Sequence, residues 1–174
     1  MINDQELIFA VDENNNPVAP VPRKGIHENR IWHRVTHVWV MNLQKDILVQ
    51  KRSLAKDLSP GMWEPFFGGH LGPNDNDLDC AAKEVEEEIG LMPEPAELRY
   101  FKTHKCEEVV EFEAVFIYKW DGSAEQVHFE KEEIDEIKWV PLEEVKQQIL
   151  AKSPDWVVRG YEIELFGWLE ENLA

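Results

Sequence analysis

Basic residues are scarce in this chain: 18 Lys and Arg stand against 35 Asp and Glu over 174 residues, a formal net charge of −17. That charge opposes attraction to nucleic-acid phosphate and to anionic membrane surfaces, which excludes a nucleic-acid polymer and a membrane as expected partners. Cysteine is equally sparse. Cys80 and Cys106 have no CxxC spacing and form no disulfide framework, so they read as buried small residues of a protein from a reducing compartment. No stretch approaches the roughly 18 apolar residues of a membrane span, and no basic segment precedes an apolar run near Met1. A cytoplasmic location is the expectation. What the chain has in quantity is apolar bulk, 43% hydrophobic residues with seven Trp, enough for one domain over residues 1–174 with its own core.

Turn chemistry at Asp12-Glu13-Asn14-Asn15-Asn16-Pro17 between apolar pieces predicts an N-terminal hairpin over residues 7–21. Strands are predicted for Thr36 to Met41, Ile47 to Arg52, Trp63 to Phe67, Tyr100 to Thr103, Glu108 to Trp120 and Ile137 to Val140. After Gly68-Gly69-His70 the period changes. Ala81, Ala82, Val85 and Ile89 recur at helical spacing, with Asn76 or Asp77 as the cap and Gly90 as the stop. Further helices are predicted for Leu142 to Leu150 and for Pro154 to Leu173, the latter with Val158, Tyr161, Leu165 and Trp168 on one face. Strands and helices mix without regular βαβ alternation, which indicates an α+β domain with a mixed sheet between helices.

The first helix carries Glu84, Glu87 and Glu88, whose offsets of three and four place three carboxylates along one side, away from Ala81 and Val85. Two readings fit that pattern: a solvated acidic face, or a site for a hard divalent cation such as Mg²⁺, which takes carboxylate oxygens together with substrate phosphates. The flanks decide between them. Gly69, Asp75, Lys83, Glu84, Val85, Glu87, Glu88, Gly90 and Leu91 form the series Gly-x5-Asp-x7-Lys-Glu-Val-x-Glu-Glu-x-Gly-Leu. Residues 69–91 thereby resemble the Nudix box, with Asp75 where that family has Glu and Lys83 where it has Arg. The resemblance implies a Nudix-type α/β/α sandwich that binds Mg²⁺ or Mn²⁺ through Glu84, Glu87 and Glu88, with the Gly69 carbonyl as a fourth ligand. It also implies an ion pair between Asp75 and Lys83 across the loop. The chemistry implied is hydrolysis of a small-molecule diphosphate, with Glu84 or Glu87 as the proton acceptor.

A longer resemblance, from about Asp12 to Trp168, is to the isopentenyl diphosphate isomerase branch of the same superfamily. It is carried by Arg23-x3-His27, His33, Arg52-Ser53-Leu54-Ala55-Lys56, Pro60-Gly61-Met62-Trp63, Gly69-His70, Glu111-x-Glu113, Pro154-Asp155-Trp156 and Leu165-Phe166-Gly167-Trp168. It implies a second site for Mn²⁺ or Zn²⁺ at His33, His70, Glu111 and Glu113, an acid/base role for Glu113, and substrate contacts from Arg23, Arg52, Lys56 and Trp156. His27 stands one residue closer to His33 than that branch has it and is left out of the set. Glu111 and Glu113 alternate with Phe112 and Ala114, so on a strand both carboxylates share a face. One departure decides against isomerisation. The branch has its catalytic cysteine directly before Gly-His, whereas this chain has Gly68, which offers no side chain for proton transfer. Metal-dependent hydrolysis of a nucleoside diphosphate derivative or another organic diphosphate is therefore the expected reaction, by a monomer or homodimer. The isomerase and a non-catalytic ligand-binding Nudix domain are the alternatives.

Overall fold

A computed structural model describes residues 6–56 and 58–172. In chain order the strands are β1 (Leu7–Ile8), β2 (Val21–Pro22), β3 (His33–Met41), β4 (Asp46–Arg52), β5 (Trp63–Glu64), β6 (Leu98–Cys106), β7 (Glu111–Lys119) and β8 (Ile134–Pro141). Helix α1 (Asp77–Ile89) lies between β5 and β6, and α2 (Leu142–Leu150) and α3 (Glu162–Asn172) follow β8. β1 and β2 pair antiparallel, Leu7 with Pro22 and Ile8 with Val21, so the expected hairpin forms with its second arm shifted toward Pro22.

The main sheet runs β5-β4-β3-β7-β6, with β8 also on β4. It is mixed, because β3 and β7 are parallel and the other pairs antiparallel. Alternation along β3 and β7 sends Trp39, Met41, Val115 and Ile117 into a core with Val145 and Ile149 of α2 and Leu165 and Leu169 of α3. Val38, Val40, Ala114 and Phe116 face the other way, onto Ala81, Val85 and Ile89 of α1. Burial on both faces accounts for the near-continuous apolar run of these central strands. The result is the expected α/β/α sandwich.

β3 and β4 pair only at Met41 and Ile47, beside their connecting turn, and then separate. The gap is filled by the chain entering α1. Val38 N–H donates to Phe67 O at 2.7 Å, Phe67 N–H returns a bond to Val38 O at 3.0 Å, and Thr36 N–H donates to Gly69 O at 2.9 Å. This zipper replaces the longer strand expected over Trp63 to Phe67, which stops at Glu64, and fixes residues 67–70 in the middle of the domain.

The last helix is shorter than its periodicity suggested. Residues 154–161 are not helical: Trp63 N–H donates to Asp155 O at 2.7 Å and Val157 N–H to Trp63 O at 2.9 Å, so this segment lies along β5. Gly160 then turns at φ +103°, and the buried Glu162 carboxylate accepts the N–H groups of Arg159 (2.6 Å) and Gly160 (2.7 Å), which starts α3 at Glu162. Val158 and Tyr161 therefore precede the helix. Leu173, the expected last residue, lies outside the described residues.

Candidate active site

Helix α1 begins at Asn76, whose side-chain oxygen accepts the Asp79 N–H at 3.0 Å, and ends at Gly90 in the left-handed conformation at φ +70°. With Val85 and Ile89 fully buried against the sheet, Glu84 and Glu88 come onto the side that meets residues 67–70. Gly68 N–H donates to the Glu88 carboxylate at 3.0 Å. At Gly69 a β-carbon would stand 2.5 Å from Glu84 Oε2, so glycine lets the backbone lie directly against that carboxylate. Desolvation, with the repulsion of Glu87, lifts Glu84 to a pKa of about 7; desolvation, with Glu84 and Glu64 nearby, lifts Glu88 to about 8.

Glu87 is exposed and faces Lys83, with Nζ 3.5 Å from Oε1. The expected Asp75–Lys83 ion pair is absent among the described residues. Asp75 instead accepts the Gly72 N–H at 2.9 Å and closes the turn before the helix, a contact its short side chain can make three residues away. A cavity of about 270 Å³ opens beside Glu87, walled by Val127, His128, Phe129 and Lys131. The Gly69 carbonyl already accepts from Thr36 and keeps a second lone pair.

A second group of side chains lies at the start of β3 and β7. His33 and Glu111 are register partners, with Nε2 3.4 Å from Glu111 Oε1. The His33 Nδ1 atom sits 2.8 Å from the Ile31 carbonyl, which accepts its N–H and turns Nε2 toward Glu111. His70 arrives through the zipper, bridged to Val35, and its ring stacks on His33 at 5.0 Å. Both His70 ring nitrogens and His33 Nε2 are buried without a hydrogen-bond partner among the described residues. His27, left out by spacing, completes the set: ligand atoms of His27, His33, His70 and Glu111 all lie within 4.8 Å of one another. A connector outside regular structure absorbs the one-residue slip, so spacing alone is a poor guide there.

Glu113 does not join that group. It is fully buried two residues further along β7, and its surroundings are Arg159, Glu111 and Glu162 rather than the carboxylates of α1. Burial foremost raises its pKa to about 9. Arg159 reaches Glu111 Oε2 at 3.7 Å and Glu113 Oε1 at 3.9 Å. This arginine carries no motif signal, and it reaches the site because residues 154–161 are not helical.

Of the expected substrate contacts, the three basic residues each have an acidic partner. Arg23 pairs with Glu6 at 3.3 Å, Arg52 with Glu64 at 2.8 Å, and Lys56 with Glu133. Trp156 is buried in the core beside Trp63, ring centres 6.3 Å apart, and Trp39 is core throughout.

Residues 31–159 match the family model of the NUDIX domain. The chain belongs to the Nudix family. It is 31% identical over 166 residues to an uncharacterized Nudix hydrolase of Yersinia pestis, covering 90% of this chain and 88% of that one. To the uncharacterized Nudix hydrolase YfcD of Salmonella typhi it is 31% identical over 169 residues, covering 91% and 89%. Among solved structures, DR0079 from Deinococcus radiodurans superposes with a TM-score of 0.71 at 21% identity, over 92% of this chain and 96% of that one. The NUDIX domain of Shewanella oneidensis NrtR, complexed with ADP ribose, superposes at 0.61 and 13% identity, over 82% and 89%. The two sequence relatives place the chain among Nudix hydrolases, and the two solved structures share its fold.

Proposed function

We propose that this Nudix hydrolase cleaves the diphosphate linkage of a small organic diphosphate with the help of Mg²⁺ or Mn²⁺. The observation that carries the reading is the seating of two carboxylates, Glu84 and Glu88, against the backbone of Gly68 and Gly69. Their donors are all oxygen, the choice of a hard cation, and their pKa values, raised first by desolvation and next by Glu87 for Glu84 and by Glu84 for Glu88, mark carboxylates whose charge a cation would offset. Glu84, Glu88 and the Gly69 carbonyl would hold the ion, with Glu87 joining from the next position around the helix. When bound, such a cation neutralises diphosphate oxygens and activates water. Glu84 or Glu87 accepts the proton, Arg52 and Lys56 bind phosphate oxygens in exchange for Glu64 and Glu133, and Arg23 adds a third cation.

The His27, His33, His70 and Glu111 group would hold a second ion, Mn²⁺ or Zn²⁺. The support is its buried imidazole nitrogens without a hydrogen-bond partner among the described residues, together with the ring orientation that the Ile31 carbonyl gives His33. Isomerisation is disfavoured by the backbone as well as by the missing thiol, because a β-carbon at residue 68 would meet the Thr36 carbonyl oxygen at 1.8 Å.

The reading is tested with a panel of nucleoside diphosphate derivatives including ADP-ribose, nucleoside triphosphates and isoprenoid diphosphates, each with Mg²⁺ and with Mn²⁺, products read by mass spectrometry. Metal-dependent cleavage at a phosphoanhydride is expected; substrates returned intact across the whole panel would overturn the reading.

A further inference from the structure

Glu113 has no exposed surface, and neither carboxylate oxygen has a hydrogen-bond partner among the described residues. Burying an acid in this way is costly unless something answers it. The neighbouring edge strand supplies what surrounds it. β6 pairs antiparallel with β7 so that His104 is the register partner of Glu113 and Cys106 the partner of Glu111. His104 and Cys106 are two residues apart and share a face. An imidazole nitrogen, the Cys106 sulfur and a Glu113 oxygen thereby come within 4.8 Å of one another.

We propose that His104, Cys106 and Glu113 form a metal site of the zinc class, apart from the glutamate helix and next to the His27 group, whose Glu111 lies within 4.8 Å of Glu113. A thiolate, an imidazole and a carboxylate are donors that favour Zn²⁺ over Mg²⁺, and three protein ligands leave a position for water or an anionic ligand. Cys106 is buried at the end of its strand and free of any disulfide. Both Cys106 and Glu113 give up their protons on binding. Arg159, 3.9 Å from Glu113 Oε1, is the opposing charge; its Nε makes no hydrogen bond among the described residues, and two ionised ligands outweigh it. Both cysteines are buried, as the sequence reading has them; the proposal adds a ligand role for Cys106, while Cys80 lies next to Thr36 and the His70 carbonyl.

The test is a Co²⁺ titration of the freshly reduced, metal-free full-length chain, read by absorption. Thiolate-to-cobalt charge transfer in the near ultraviolet arises only from a sulfur ligand, so Co²⁺ in the glutamate or histidine groups does not imitate it. The band is expected to appear in the wild type, to be displaced by Zn²⁺, to persist in Cys80→Ala and to vanish in Cys106→Ser. His104→Ala, at a partly exposed position, is the second variant should Cys106→Ser fail to fold; it is expected to weaken Co²⁺ binding about 10-fold or more. No charge-transfer band at saturating Co²⁺, or one indifferent to Cys106→Ser and to His104→Ala, overturns the site. Either result is independent of whether the chain hydrolyses a diphosphate.

Discussion

A β-carbon on Gly68 would stand 1.8 Å from the carbonyl oxygen of Thr36. Thr36 is held there because its own N–H donates to Gly69, and Gly68 N–H is committed to Glu88. The glycine is therefore part of how the glutamate site is built, and a thiol cannot be added at this position without moving β3 or the loop. Gly68→Cys is expected to destabilise the protein by about 2 kcal/mol or more and to gain no isomerase activity. A thermal melt and deuterium incorporation from heavy water into isopentenyl diphosphate check both halves. A folded Gly68→Cys protein that incorporates deuterium rapidly would show that the backbone accommodates the thiol.

The pH dependence of the metal-free protein follows from the carboxylates. Glu84, Glu88 and Glu113 have folded-state values of about 7, 8 and 9, all above the ordinary 4.5 and all raised first by desolvation. Their contribution is thus fully present below pH 4.5 and is lost as pH rises through those values. The buried His37 and His70 act oppositely, since burial lowers both below 6.5 and stability falls as pH drops under that value. Metal-free protein is expected to lose thermal stability between pH 7 and 9, with Glu88→Gln showing a shallower loss. Melting curves across that range decide it; a wild-type melting temperature that is flat or rising would contradict the assignment.

Cys80 is 2% exposed, and its thiol is pushed up to about 12 by burial foremost, with Glu84 adding to the effect. In the native protein at pH 8 it is expected to resist a thiol-specific reagent and to react once the chain is unfolded. Mass spectrometry of the labelled peptides identifies the site. Rapid native-state labelling of Cys80 would contradict its burial on the inner face of α1.

Much of this architecture is legible in the sequence where one local rule acts alone. Helix α1 announces itself because apolar period, an Asn76 cap and a Gly90 stop agree. Residues 154–161 mislead because their apolar positions have helical spacing, yet bonds to Trp63 and the Glu162 carboxylate, both tertiary, hold them extended. The same segment brings in Arg159, which no motif marks. His27 is missed for a related reason: it lies in a connector where a one-residue slip changes little in space. Gly68 reads as a missing cysteine, and only the distance to Thr36 gives the residue a positive role.

The histidine group makes a separate prediction. Mn²⁺ added to metal-free protein is expected to populate two environments distinguishable by electron paramagnetic resonance, one lost in His33→Ala and the other in Glu84→Gln. His33 is the informative choice because its Nδ1 bond to Ile31 aims Nε2 at Glu111. A single Mn²⁺ environment unaffected by His33→Ala would remove the histidine group from the account.

The most direct measurement compares wild type with Glu88→Gln on the best substrate of the panel, with Mg²⁺ and after chelation, following incorporation of ¹⁸O from labelled water into the phosphate products. Gln keeps the shape and can still accept the Gly68 N–H, so only the charge is removed. Expected are label in one product of the wild type, loss of turnover on chelation, and a rate at least about 10-fold lower in a folded Glu88→Gln, since losing a metal ligand costs no less than losing a residue that orients one. Wild-type turnover by Glu88→Gln, or a rate indifferent to chelation, would contradict the proposed function.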